Sequence, residues 1–318
     1  MSLNPSIKKT SYSKKIKRQQ ILNSVLRDYP LYLMLLPAIA SYVIFHYIPF
    51  YGIQIAFRNY TPGLGIRDGE WVGLKYFIRF FESYYFGTLI RNTLSITLYT
   101  LAAGFPIPIL LSLLLNELKN KRFKQTVQTL SYAPHFISTV VLCGMLYVFF
   151  NPTYGPIVLL GNHLGLNLGN ALTEPRAFKH LYVWSGIWQD LGWNCIIYLA
   201  ALSGVDQTLH EAAIIDGASR LQRICYINWP TIFPTIMITL ILNCGSILNV
   251  GFEKVFLLQN DLNISTSQVI STYVYEQGLL GGSFSSSTAI GLFNNVINFI
   301  FVMAVNQISK KITKISLF

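Results

Sequence analysis

The chain has 318 residues, of which 52% are hydrophobic and only 12% charged, with 24 Lys+Arg against 13 Asp+Glu. Soluble domains average about 25% charged residues; with a mean hydropathy of +0.44, this composition excludes an ordinary soluble domain and points into a lipid bilayer. The net charge of +11 is no nucleic-acid signature, because no aromatic-basic motif accompanies it. In chain order, residues 1–28 form a basic tail carrying Lys8, Lys9, Lys14, Lys15, Lys17 and Arg18. Such a tail is expected to be partly disordered or to lie along the membrane against anionic headgroups. No acidic or basic residue then falls between Asp28 and Arg58, a stretch longer than the roughly 20 residues a spanning helix needs. No small-residue cleavage site comes after it, so it reads as a retained membrane helix rather than a signal peptide.

Further apolar runs at about 87–115, 127–150, 181–203, 232–256 and 285–308 complete an expected set of six spans. The fold class predicted is an all-α membrane protein with six transmembrane helices. Pro37, Pro49, Pro106, Pro108 and Pro134 fall inside these runs, where neighbouring helices can satisfy the freed carbonyls. With the N-terminus inside, 16 of the 24 Lys+Arg lie in the tail, in 116–125, in the loop after the fourth run and at the C-terminus. That imbalance obeys the positive-inside rule, and both termini are expected in the cytoplasm. One membrane domain over 29–308 is expected, with a cytoplasmic tail at 309–318.

The loop at 204–231 holds the most specific pattern in the chain. Thr208 and Glu211 have N-cap and N3 spacing, a capping box for a short helix. Ala212 and Ala213 lack bulk, so another surface can approach closely. Gly217 suits the left-handed conformation that ends a helix, and Ser219 suits the cap of a second one through Leu221, Ile224 and Cys225. Pro230 and Pro234 fit the opening turns of the next membrane segment. The expectation is helix, break, helix, then re-entry into the membrane.

Glu211-Ala212-Ala213, Gly217 and Ile227-x-x-Pro230 resemble the EAA signature of bacterial ABC-importer permeases, written as EAA, three residues, Gly, nine residues and I-x-L-P. Every spacing fits; Trp229 stands where the family usually has Leu. Tyr132 to Ser138, the W-V-G-L-x-x-F piece ending at Phe77, and Ala289 to Asn294 support the resemblance, which runs from about Tyr29 to the end. Within the maltose-type group, the chain resembles the branch that imports oligosaccharides and polysaccharide fragments. The resemblance implies a type I permease fold in the bacterial cytoplasmic (inner) membrane. It also implies a second homologous permease, two ATPase subunits and an extracytoplasmic solute-binding protein as partners. ATP and Mg would be bound by the separate ATPases, with no cofactor in this chain. Coupling residues on this basis are Glu211, Ala212, Ala213, Asp216, Gly217, Ile227 and Pro230.

Two polar stretches are candidates for a substrate path. The fourth run carries Trp184, Trp188, Gln189, Asp190, Trp193 and Asn194. Sugars present flat C–H faces and many hydroxyls, which aromatic faces, carboxylates and amides suit. Asp190 facing lipid would cost roughly 2.5–3.5 kcal/mol on insertion scales, so it is expected to face a bundle or water. The competing account of the tryptophans is an interfacial belt. The fifth run offers Asn243, Ser246, Asn249 and Glu253, at steps of three and four along one expected helix face. Interhelical hydrogen bonding is the alternative for Asn243, and the charge of Glu253 needs water, a partner or Lys254. By resemblance these two spans line the sugar path, Trp193 falls where the family offers an aromatic, and Asp190 replaces an uncharged residue, which opens the path to charged or differently shaped cargo. His135 beside Pro134 either joins the path or holds a kink. Asn294, Asn295 and Asn298 of the last run read as packing against the partner subunit.

No G-x-x-x-x-G-K-[ST], H-E-x-x-H or G-x-S-x-G is present, so neither a phosphate cradle nor a catalytic residue is expected. Cys143, Cys195, Cys225 and Cys244 are scattered and imply neither metal nor disulfide framework. The rival readings are an ABC permease for a non-sugar solute and an ion-coupled secondary transporter, which would need an intramembrane acidic relay and a structural repeat.

Overall fold

The computed structural model of the protein describes residues 27–63, 65–165, 168–169 and 171–313. The basic tail expected over 1–28 lies outside these apart from Arg27 and Asp28, and the C-terminal tail is described only to Thr313. Two compact units meet in sequence between Ile55 and Ala56.

The first unit is the helical run that starts at Tyr29. Helix α1 (Tyr29–Tyr42) passes into a π turn (Val43–Tyr47) and a tightened 3-10 stretch (Ile48–Phe57). The π turn ends two residues before Pro49. A proline lacks the N–H that would bond the carbonyl four residues back and its ring crowds that carbonyl, so a widened turn relieves both problems. No residue of α1 or of the π turn is buried, which suits a helix clothed by lipid.

The second unit opens with a small antiparallel hairpin, β1 (Arg58–Asn59) on β2 (Glu70–Trp71). Helices come next as α2 (Lys75–Phe81), α3 (Phe86–Gly104) and α4 (Pro106–Asn116). Then come α5 (Lys121–Tyr132), α6 (Thr139–Phe149), α7 (Pro156–His163) and the long α8 (Pro175–Ser203). The 204–231 loop contributes α9 (Gln207–Ile215) and α10 (Arg220–Arg223), ahead of α11 (Trp229–Cys244). Three short helices, α12 (Phe252–Leu258), α13 (Ile264–Ser267) and α14 (Ile270–Tyr275), precede α15 (Phe284–Thr313).

Four runs are long and apolar enough to cross a membrane: Tyr29–Phe57, Phe86–Asn116, Arg220–Cys244 and Phe284–Lys311. The third run expected from sequence, 127–150, is not one helix. It is α5, a 3-10 turn (Ala133–Phe136) and α6, bent by 99°. Pro134 interrupts the ladder, Ile137 is extended, and the Ser138 Oγ accepts from the Val141 N–H at 3.3 Å to start a new helix. The bent pair makes up to five candidate spans. Helix α8 has 29 residues but is too polar to stand among the apolar runs.

Helix α8 is the axis of the second unit and packs against α3, α4, α5 and α11. Towards its C-terminal end, Tyr198, Leu202 and Val205 bury against Ile109 and Leu113 of α4 and Ile232 and Ile236 of α11. Towards its N-terminal end, Phe178 joins Ile96, Cys143, Leu146, Val255 and Leu258. Where α8 crosses the end of α5, Gly192 is required: a Cβ there would stand 2.2 Å from the Ser131 carbonyl oxygen. Small residues allow this close backbone approach between membrane helices.

Candidate functional site

Beside α8 lies a cavity of about 1020 Å³, lined by residues of α3, α4, α6, α8, α11, the 245–251 turn and α12. Gln189, Asp190, Trp193 and Asn194 line it from α8, and Asn243, Ser246, Asn249 and Glu253 line it from the other wall. The two polar stretches singled out in sequence therefore meet at one void. They do so differently from the expectation of a fifth helix through 232–256. Helix α11 ends at Cys244, Gly245 to Gly251 form a turn, and Glu253 lies in the first turn of α12. Asn243, Ser246, Asn249 and Glu253 do not share a helix face, because the turn parts α11 from α12, yet all four line the cavity. At the turn the Asn298 Oδ1 accepts the Leu248 N–H at 2.9 Å in place of a helical carbonyl, and Gly245 makes room for Val302 of α15, which would stand 2.7 Å from a Cβ there.

Several path candidates are also hydrogen-bonded within the chain. The Gln189 Nε2 donates to the Ile137 carbonyl at 2.7 Å, and Asp190 Oδ1 bonds His135 Nδ1 at 2.9 Å. The His135 ring stacks on Trp193, centroids 4.3 Å apart and planes within 8°. His135 is not in the cavity lining; it ties the bent α5–α6 segment to the cavity wall. Asn243 donates to its own helix at the Thr239 carbonyl. The Asn249 Oδ1 accepts from Asn294 at 2.7 Å and Asn298 at 3.2 Å, so these two asparagines of α15 brace the turn from within the chain.

Lys254 is the lining residue that sequence reasoning passed over. It read as a companion for Glu253, but the two side chains part. Glu253 is exposed on the cavity, whereas Lys254 is 8% exposed and its Nζ donates to the Tyr182 carbonyl at 2.9 Å. A lone lysine between Val250 and Phe256, in a stretch otherwise rich in apolar residues, was the available signal.

The 204–231 loop forms a second arrangement. Asp206, not Thr208, caps α9: its Oδ1 accepts the Thr208 N–H at 2.9 Å, which holds its carboxyl below the usual Asp range. Glu211 falls in the second turn, exposed, and makes no capping box with Thr208. The helix ends in a Schellman motif, with Ala218 N–H to the Ala213 carbonyl at 2.8 Å and Gly217 N–H to the Ile214 carbonyl at 3.1 Å. Gly217 has φ +78°. Ser219 and Gln222 then exchange side-chain and backbone hydrogen bonds in a complete capping box for α10. The second helix does not stop short of the membrane segment, as the sequence suggested. A π turn (Ile224–Asn228) carries α10 directly into α11, ending two residues before Pro230 as the first π turn does before Pro49.

The loop is pinned from one side and bare on the other. Arg223 Nη2 pairs with Glu117 Oε2 at 2.9 Å, both side chains 13% exposed, and Asn228 Nδ2 donates to Glu117 Oε1 at 3.1 Å. Val205 and Ile232 bury in the α4–α8–α11 cluster with Ile224 and Ile227 against it. Leu209, Ile214, Ile215, Leu221 and Tyr226 are exposed, Ile215 at 85%. An apolar face of this kind marks an interaction surface.

The comparisons with known proteins agree with this architecture. Residues 104–314 match the family described as binding-protein-dependent transport system inner membrane component. The chain is 44% identical over 298 residues to the polygalacturonan/rhamnogalacturonan transport system permease protein YteP of Bacillus subtilis (strain 168), covering 94% of this chain and 93% of that one. It is 42% identical over 292 residues to Protein LplB of the same organism, covering 92% of each. A crystal structure of a bacterial ABC transporter involved in the import of the acidic polysaccharide alginate superposes with a TM-score of 0.85 at 39% identity, covering 92% of this chain and 99% of the other. With the family match extending over more than half of its length, the chain belongs to the binding-protein-dependent transport system inner membrane components.

Proposed function

We propose that this chain is a multi-pass permease subunit of an ATP-driven importer of oligosaccharides or polysaccharide fragments. It works in the bacterial cytoplasmic membrane with a second permease, two ATPase subunits that bind ATP and Mg, and an extracytoplasmic solute-binding protein. The observation that carries the cargo class is the cavity, where amides, carboxylates and an indole converge in about 1020 Å³. Ligand pockets commonly hold about 300–1,000 Å³ and take specificity from a few placed polar groups. Two of the relatives are named for the transport of polysaccharides, which supports the same class here.

Six spans within 29–308 put both termini and the 204–231 loop in the cytoplasm, an orientation supported by the charge split. The spans beyond the four apolar runs are the bent α5–α6 pair and α8. Glu211, Ala212, Ala213, Asp216, Gly217, Ile227 and Pro230 belong to the joint with the ATPases. Closure of the ATPases would press on the bare face of α9 and α10, and the helix continuous from α10 into α11 would carry the movement to the cavity wall. Gln189, Asp190, Trp193, Asn194, Asn243, Ser246, Asn249 and Glu253 form the path in this chain, with His135 orienting Asp190 and Trp193. The chain itself makes and breaks no covalent bond.

Labelled oligosaccharide uptake by the complete transporter in proteoliposomes tests this reading. Uptake should require ATP and the binding protein, and Trp193→Ala should lower it while the binding protein's affinity for the sugar stays unchanged. Uptake indifferent to ATP, or labelling of cysteines near Thr61 and Asn260 from the cytoplasmic side, would overturn it.

A further inference from the structure

Resting on the oligosaccharide reading of the cavity, we propose that Lys254 is the specificity-determining residue through which the path recognises a carboxylate on its cargo. The ammonium reaches the cavity wall with little exposure, 8%. Its Nζ donates to the Tyr182 carbonyl at 2.9 Å and lies 4.9 Å from the Tyr182 ring centroid. A glycine leaves it room: a Cβ at Gly186 would stand 3.2 Å from the Nζ. An ammonium has three donors, and the carbonyl takes one. Among the described residues the ion pairs are Arg27–Asp28, His135–Asp190 and Arg223–Glu117, so Lys254 is in none of them.

A buried charge with no carboxylate in ion-pair range is costly, and an ionisable side chain kept at membrane depth is usually functional. A residue that only filled this space would be apolar. No carboxylate stands in ion-pair range, and Asp190, which acts on the ammonium from further off, is bonded to His135; the open place beside the ammonium fits a carboxylate-bearing cargo, and polygalacturonan and alginate are polymers of sugar units that bear carboxylates. A uronate oxygen would accept from the free ammonium donors in a charge-assisted hydrogen bond. The same cavity carries two carboxylates, Asp190, which is bonded to His135, and Glu253, which is exposed. An anionic chain is thus attracted at one point and repelled at two, so it enters selectively and is still released, as conduction through any selective path requires.

The test uses the assembled transporter with its binding protein in proteoliposomes, supplied with trigalacturonate or its methyl ester. Loss of one charge-assisted hydrogen bond lowers trigalacturonate uptake per assembled complex about tenfold in Lys254→Gln and Lys254→Met, while Lys254→Arg stays within about threefold of the wild type. The ratio of charged to esterified uptake falls in the same two variants. If Lys254→Met carries trigalacturonate as well as the wild type does, or if both probes fall equally, the ammonium is only a structural contact and the proposal is overturned. Should the neutral variants fail to assemble, Gly186→Leu keeps the lysine but fills the place of its ammonium, which stands only 3.2 Å from where a Cβ would begin. A lowered ratio there supports the proposal and an unchanged one overturns it. A wild-type transporter that carries neither probe refutes the oligosaccharide reading itself, a failure distinct from transport with an unchanged ratio.

Discussion

The 204–231 loop and the cavity solve opposite problems. The loop puts its chemistry into one contiguous stretch, 204–231, in which caps and a left-handed glycine specify the local turns. It needs the rest of the chain at few points, chiefly Glu117 and the cluster around Val205 and Ile232. The cavity draws on residues from Ile96 to Lys254, and no local rule connects them. A surface that must be presented to another protein can be built from a self-capped segment. A void cannot, because its walls have to come from elements that approach without filling it.

The largest expected effect tests whether the cavity depends on close backbone approach. Gly192→Ala places a methyl group 2.2 Å from the Ser131 carbonyl, and overpacking of this kind costs about 3 kcal/mol. The variant should give much less full-length protein in the membrane and a lowered thermal midpoint. Wild-type abundance would show that α5 can slide away from α8.

The next effect tests the loop's buried tether. Glu117→Ala leaves Arg223 and Asn228 without their partner, and breaking such a pair costs roughly 3 kcal/mol. The Glu117→Ala, Arg223→Ala double variant should lose less than the sum of the singles, a coupling read from thermal midpoints. Additive losses would mean that the two side chains do not act together.

Gly217→Val separates the loop from the cavity. A β-branched residue held at φ +78° costs about 1–2 kcal/mol, confined to the end of α9. Transporter-stimulated ATP hydrolysis and uptake should uncouple while the spans remain folded. Normal coupling in this variant would break the reading of the loop as the joint.

The smallest effect is a pH dependence of the loop alone. The Thr208 N–H holds the folded-state pKa of Asp206 below its ordinary value, so its contribution is present above the unfolded pKa of about 3.9 and is lost as pH falls through the lower folded value. The hydrogen-exchange protection factors of α9, corrected for the intrinsic pH dependence of exchange, should fall at acid pH in the wild type. Asp206→Asn, which keeps an acceptor without titrating, should remove that component.

Sequence reading reached the loop better than the cavity for the same reason. Gly217 and Ser219 were legible because a helix stop and an N-cap are decided within four residues. The cap of α9 was misassigned to Thr208 because Asp206, two residues earlier, competes for the same free N–H groups. The continuity of α10 with α11 was missed because proline ordinarily marks a helix start, whereas here a π turn ahead of Pro230 joins the two helices. In the cavity, the polar residues stood out against an apolar background, but the turn at 245–251 did not. It depends on Val302 and Asn298, about fifty residues away.

By itself, the sequence determined that the chain lives in a bilayer, where its helical runs lie and which short loop carries the family's signature. Those properties derive from transfer free energies and capping, which are local sums. Only the tertiary structure decided that the third run bends by 99°, that His135 holds Asp190 and Trp193, and that Lys254 turns from Glu253 toward Tyr182. These are choices among partners with similar intrinsic preference. They are settled by what a glycine makes room for: the Ser131 backbone at Gly192, the Lys254 ammonium at Gly186 and the Val302 side chain at Gly245.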